Sequence, residues 1–462
     1  MLDTGYAPPY PRPLSPLAAL VRTIRQGDGD LLSLMPADAY RRDVTDLGWS
    51  RRTIVLFNEP ELVRQILADP QEIFPKNDLM VDALEPLIGQ SIFVTDGAVW
   101  RRQRAMIEPA FTHMRIALAY RSMQAAVDAF AQRLAAKADA GEPFSIDRAM
   151  SELTADIICR TVFSIPLDSG ISHDVFEDFA IFERAVAQVN LSKLIFSPAW
   201  SRMKQPAKVL AACERIRTHL GTMVDTHLGT GEGQYNDIAS SVIAARDSET
   251  GKPLSRDELI DQLGVFFLAG HETTASVLTW VFFILATQHG IAAAIRAEVL
   301  AVSGVGEITL DDTRRLPLLR SVFKETLRLY PPVTFIPRVA LTETQVGPRR
   351  LKRGAMVMIS PWAMHRNAAL WPRPNEFDPQ RFMPEREGDI PKGAYVPFGA
   401  GRHTCIGSAF AHAESALIIA RLCRDFDFEA LDPGAVRPAA RLTTRPANEI
   451  MARARHVRSL SP

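Results

Sequence analysis

The chain has 462 residues, 47% of them hydrophobic and 23% charged, which are ordinary globular values with enough apolar residue for one large core. Its 53 basic and 53 acidic residues leave a net charge of +0, which argues against nucleic acid as a partner. Four cysteines, Cys159, Cys213, Cys405 and Cys423, form no CxxC pair and no zinc spacing; so few in so long a chain suit a reducing compartment, and the cytoplasm is the expected location.

The opening MLDTGYAPPYPRPLSPLAALV has no charged region leading into a long apolar run, so neither a signal peptide nor a membrane anchor is expected. A helix is predicted near Pro16–Gln26, then a strand at Thr53–Phe57, then a helix in EPELVRQILAD opening on Pro60. In AVWRRQRAMIEPAF, Trp100 and Arg104 stand four apart on one helix face. Helical patterns dominate from Val99 to Leu422. LSKLIFSPAW (Leu191–Trp200) is either an entrance cover or ordinary packing.

Leu263–Thr287, LGVFFLAGHETTASVLTWVFFILAT, is long and apolar enough to span a membrane, but Glu272 and a polar run sit at its middle. Ser255 and Glu258 form a capping box upstream, and Gly290 suits the far end. A single helix of about 35 residues, roughly 50 Å long, is predicted as the central core helix. Within it Glu272 and Thr273 are adjacent; a buried carboxylate needs a partner, and hydroxyls that bond back to a carbonyl bend a helix.

In SVFKETLRLYPPV, Glu325 and Arg328 share an apolar helix face, so a buried network is predicted rather than a surface pair. QVGPRRLKRGAMVMIS (Gln345–Ser360) reads as a β-hairpin around Gly354. Asn367–Pro397 is irregular and proline-rich, and loops of that length in compact domains usually serve function. FGAGRHTCIG (Phe398–Gly407) then places Cys405 just before a helix. Helix-terminal N–H groups lower a thiol's pKa, and Gly399, Gly401 and Gly407 let backbone turn tightly against a flat ligand. From this loop alone the thiol is a metal ligand, a nucleophile or an inert part of a turn.

FGAGRHTCIG resembles the haem-binding signature of the cytochrome P-450 family, F-x-x-G-x-[R/H]-x-C-x-G, at Phe398, Gly401, His403, Cys405 and Gly407. The resemblance implies a mainly α fold with small β-sheets, haem b lying between the long central helix and the cysteine-loop helix, and Cys405 as axial thiolate. It implies a single domain over 1–462, its β-containing part roughly 30–75 and 335–400. His403, Trp100, Arg104 and Arg338 would bind haem propionates, with Phe398, Gly407 and Ala269 also at the cofactor. Ala269–Thr274 resembles the family's A-G-x-[D/E]-T, so Glu272 and Thr273 would deliver protons to iron-bound dioxygen. Glu325 and Arg328 would lock to Arg381 in FDPQRF, a structural role.

The implied activity is a monooxygenase acting on an apolar substrate, drawing NAD(P)H electrons through a separate ferredoxin or similar donor that docks near Arg101 and Arg102. A soluble member is expected, since no anchor precedes the domain, and a monomer; the donor is expected to be separate because the chain ends about 55 residues after Cys405 with no flavin or ferredoxin domain. Pocket candidates are Leu84, Phe267, Ala269, Val333 and Phe335, with Leu79, Met80, Leu87, Ile92, Thr334 and Ile336 nearby. A fatty acid, terpenoid, steroid or aromatic compound fits such walls. A thiolate-haem isomerase or peroxygenase, and a non-catalytic haem sensor, are the rival readings.

Overall fold

The structure, a computed structural model, describes residues 5–15, 35–47, 53–167, 170–186, 205–229 and 237–457, with a few isolated positions between. The helix predicted near Pro16–Gln26 and the segment Leu191–Trp200 lie outside these residues. Helices form the bulk, around a core helix at Arg256–Thr287 that starts on the predicted Ser255–Glu258 capping box. It is the one described helix long and apolar enough to cross a membrane, and it is buried along nearly its whole length. Its main neighbour is Ile146–Phe163, with Ala207–Gly229 and Pro317–Leu329 also packed on it. It stops at Thr287, short of Gly290, because a second helix, His289–Ser303, begins at once and takes that glycine into its first turn.

Strands are short: β1 (Val44–Asp46), β2 (Ile54–Phe57), β3 (Phe144–Ser145), β4 (Ile336–Val339), β5 (Thr344–Val346), β6 (Arg349–Leu351), β7 (Met356–Ile359), β8 (Phe426–Ala430), β9 (Pro438–Ala440), β10 (Thr444–Pro446) and β11 (Met451–His456). The largest sheet runs β1-β2-β7-β4, with β2 parallel to β7 in the register Val55↔Val357. IVLF at β2 is buried on both faces, as an unbroken apolar strand should be. The sheet β3-β11-β8 and the pairs β5-β6 and β9-β10 complete the set, so strands also occur at 426–456, beyond the two β-containing stretches predicted.

The hairpin predicted around Gly354 turns instead at Gly347, where φ is +54° and Pro348 follows, between β5 and β6. Glycine at the first turn position matches strand twist. Gly354, φ +82°, carries the chain across from β6 to β7 in the other sheet.

Candidate active site

Phe398–Gly407 closes on itself through the Cys405 N–H, which donates to the Phe398 carbonyl at 3.0 Å. Gly399 and Gly401 have φ of +72° and +69°, and a β-carbon on Gly401 would collide with the Leu67 carbonyl at the end of helix Pro60–Ala68. Gly407, by contrast, has an ordinary φ of −86° and caps the helix Ser408–Asp425. Arg402 fastens the loop from outside, donating to the carbonyls of Ala68 and Asp69 and to Glu72. The Cys405 side chain opens onto a cavity of about 320 Å³. Burial pushes this thiol's pKa up, more than the Gly407 N–H and Arg104 pull it down. The lowering expected from the helix terminus is thus outweighed by burial.

The same cavity is lined by Lys76, Trp100, Arg104, Arg338, Phe398, His403 and Gly407. Trp100 lies against His403, ring centroids 4.2 Å apart, and Arg104 donates to the Thr404 carbonyl at 3.0 Å. Arg338 is 7% exposed, and among the described residues its side chain bonds only the Pro337 carbonyl, at 2.9 Å; Lys76 holds the carbonyls of Ile92 and Thr95. Among the described residues neither cation forms an ion pair; Asp96 lies near both, and Asp69 also near Arg338. Burial, then the cations Lys76, Arg338, Arg402 and Arg104, drive the His403 pKa down to about 3, and its buried Nδ1 has no partner among the described residues. A rim with surplus positive charge and an orphaned ring nitrogen fits a ligand carrying carboxylates.

Opposite, Phe266, Ala269, Gly270, Thr273, Thr274 and Val277 of the core helix line the cavity, the stripe expected of one face. Thr273 Oγ1 donates to the Ala269 carbonyl at 2.7 Å, and Thr154 Oγ1 reaches the His271 carbonyl at 3.1 Å from the neighbouring helix. Glu272 does not line the cavity. At about 100° per residue it points to a different side from Thr273, where it receives Arg445 (Nε to Oε1, 2.9 Å) and Thr443 (2.6 Å). Phe267 is likewise off the stripe and packs on Phe179 and His271, at 5.5 and 5.0 Å between ring centroids.

Of the other pocket candidates, Val333, Phe335, Ile336, Met80 and Ile92 line the cavity; Leu84 and Leu87 are buried in the core beside it instead, and Leu79 and Thr334 are not among its walls. Leu84 and Leu87 fail because the helix Asp78–Ile88 turns them inward and presents Met80.

The predicted buried network is present. Glu325 receives both Arg328 Nε and an Arg328 terminal nitrogen at 2.7 Å and the Asp378 N–H at 2.8 Å, with Arg381 Nε at 3.4 Å. Arg328, fully buried, also donates to the carbonyls of His365, Pro374 and Glu376 at 2.8, 2.6 and 2.9 Å. His365 carries the network to the loop: its Nε2 accepts the Val396 N–H at 3.0 Å, two residues before Phe398. The basic run is less free than expected: Arg101 pairs with Glu72, and Arg102 with Asp247 and Glu258. Lys76, Arg445 and Glu414, a carboxyl buried beside Thr274, were not singled out by sequence; each depends on contacts made only by folding.

A thiol facing a small-residue helix across a cationic rim suits haem bound through sulfur, which defines the class as a haem-thiolate protein. The chain belongs to the cytochrome P-450 family, whose family model matches residues 8–451. It is 31% identical over 441 residues to "Cyclooctatin synthase" of Streptomyces melanosporofaciens, covering 93% of this chain and 91% of that one. "Cyclooctat-9-en-7-ol 5-monooxygenase" of the same organism is 33% identical over 397 residues, 85% of this chain and 83% of the relative. The haem domain in "Crystal structure of cytochrome P450DA heme domain" shares the fold, with a TM-score of 0.80 at 24% identity over 90% of each chain. This chain is accordingly a cytochrome P-450 monooxygenase that uses haem and dioxygen.

Proposed function

We propose that this monooxygenase hydroxylates a cyclic terpenoid, with electrons from a separate iron–sulfur protein. The observation that carries the reading is the cavity itself: beyond the cationic rim its walls are apolar, with Ile92, Phe93, Phe111, Val265, Phe266 and Phe335 among them. Such walls suit a rigid hydrocarbon skeleton, as the printed names of the two Streptomyces relatives and of "Pentalenene oxygenase", 27% identical over 391 residues, also do.

Cys405 would hold the iron, while Arg104, Arg338, Lys76, Trp100 and His403 would hold the carboxylates of the macrocycle. When bound, haem supplies the reductive activation of dioxygen that places one oxygen atom in substrate and one in water. The chain's part is orientation, dryness and protons. Apolar side chains seat the skeleton over the sulfur. Ala269 and Gly270 leave room beside it. The Thr273 hydroxyl, anchored on the Ala269 carbonyl, presents its oxygen where a proton or water must be held. The donor docks on the cysteine-loop face, where Arg101 stays half exposed. Four separate thiols suit the cytoplasm.

The test is a carbon monoxide difference spectrum of the reduced protein, followed by a screen of cyclic terpenes, fatty acids and steroids for a Soret shift. NADPH-driven product formation is then measured with a surrogate ferredoxin pair. Absence of a thiolate spectrum ends the haem assignment; shifts and turnover confined to fatty acids or steroids end the terpenoid one.

A further inference from the structure

Glu272 is 1% exposed and sits in a cluster whose charges do not balance. Among the described residues Arg445, from β10, is its one guanidinium. Three carboxyls surround it: Glu272 from the core helix, Asp147 from the start of Ile146–Phe163, and Glu183 from Gly170–Val186. Arg445 directs two nitrogens at Glu272 and a third at Asp147, 2.8 Å away. Glu183 is left 3.9 Å from Arg445 Nε and shares a hydrogen bond with Glu272. Two carboxyls that hydrogen-bond to one another hold one proton between them. His271, the remaining titratable group here, donates Nδ1–H to the Phe267 carbonyl at 2.9 Å and packs against Phe176 and Phe179, so burial keeps it neutral.

The proton belongs on Glu183. Burial and the neighbouring Glu272 charge raise its pKa, whereas on Glu272 burial is outweighed by Arg445, which lowers it. In this arrangement Glu272 is an anion clamped away from the cavity, unable to give up a proton it does not have.

We propose that Glu183 is the proton store for this site, and that Arg445 exchanges between Glu272 and Glu183 when the proton moves. The O–H of Glu183 breaks and an O–H forms on Glu272. Glu183, now the anion, takes over the guanidinium from the 3.9 Å position. Glu272, now neutral and released, is free to turn toward Thr273, its neighbour on the cavity face. Charge within the cluster is conserved, so the exchange needs no counter-ion. Asp147, with a side chain 28% exposed, opens the cluster to solvent, from which Glu183 is recharged. Glu183 is thus a positioning and proton-supplying residue that acts through Glu272. The proposal rests on the monooxygenase reading.

The test uses haem-loaded protein. Infrared spectra in H₂O and D₂O are compared for the unmodified chain, Glu183→Gln, Glu183→Asp and Glu414→Gln, the last removing a separate buried acid whose pKa burial also raises. A carboxylic-acid carbonyl band that titrates with pH, is lost in Glu183→Gln and persists in Glu414→Gln is expected. In turnover on any compound that shifts the Soret band, Glu183→Gln should divert electrons to peroxide. Product per NADPH should fall at least about tenfold, the low end of what a positioned proton donor contributes. Its alkaline limb should flatten, with Glu183→Asp restoring both. The idea is overturned if the unmodified protein shows no titrating carboxylic-acid band, a reading independent of whether any variant folds. It is equally overturned if Glu183→Gln keeps the wild-type band, coupling and pH profile. An intact carbon monoxide thiolate spectrum alongside that result means only this proposal fails; its loss from the unmodified protein means the haem assignment fails.

Discussion

Replacing Glu325 by Gln keeps the shape of the side chain and removes its charge. Arg328, 0% exposed, would retain three carbonyl partners but lose its anion, and Arg381 at 3.4 Å would lose the same one. A glutamine amide would also place N–H groups where Arg328 and the Asp378 N–H already donate. Breaking one side of a buried pair costs about 3–5 kcal/mol, a large part of the roughly 5–15 kcal/mol that holds a domain folded. At an unfolding entropy near 2.1 cal/mol/K per residue, a chain of this size loses roughly one degree of Tm per kcal/mol. A fall of about 3–5 °C is therefore expected. The damage should be felt at the cysteine loop, since Arg328 orients His365 and His365 holds Val396. The assay pairs thermal melts with the carbon monoxide spectrum, where the thiolate signature should decline in favour of the thiol form. A variant with unchanged Tm and a full thiolate spectrum would refute the reasoning that this network braces the loop.

Cys405→Ala should abolish the thiolate spectrum outright; a retained signature would reassign the iron ligand. Thr273→Ala should keep that spectrum yet lower product per NADPH at least about tenfold, and unchanged coupling would show that its hydroxyl is not the proton holder. Gly401→Ala forces a side chain into a φ of +69° against the Leu67 carbonyl, so transfer of haem to apomyoglobin should be faster than from the unmodified protein. His365 is held neutral, its pKa pushed down to about 3 by burial and by Arg328, against 6.5 when unfolded. The unfolded chain thus takes up a proton that the folded chain refuses, and stability falls as pH drops from about 6.5 toward 3, by up to roughly 1.4 kcal/mol per unit. Melts between pH 7 and 5 should show a shallower acid limb in His365→Asn; equal slopes would exclude the assignment.

Local pattern carried much of this structure. The capping box at Ser255, the Glu325–Arg328 face and the Gly-rich loop before Ser408 are set by neighbours within a few residues, and all three appear as predicted. Direction around the core helix was legible too, but only through its period. At about 100° per residue, Ala269, Thr273, Phe266 and Val277 fall within an arc of roughly 80°, and Glu272 and Phe267 fall outside it on opposite sides. Adjacency to Thr273 suggested a shared site for Glu272, whereas the helix turns the pair to different sides. Lys76 and Arg445 carried no local signal, because Lys76 meets Arg338, and Arg445 meets Glu272, only across the assembled fold. The turn at Gly347 was obscured by a second glycine at 354 in an equally polar stretch, and register decides between them.

The seat of Gly401 on helix Pro60–Ala68 also governs when this enzyme can be finished. Arg402 meets the Asp69 carbonyl across 333 residues of sequence, and Arg104 meets the Thr404 carbonyl across 300. Contacts that close such long loops form after local ones, because chain entropy opposes them until the intervening structure has condensed. On the ribosome, the early helices and then the core helix emerge well before the cysteine does. The pocket acquires its sulfur wall only after those helices have been made, so cofactor capture follows condensation of the helical core and caps the folding reaction. A cell making the chain faster than it makes haem would accumulate molecules complete everywhere except at this last closure.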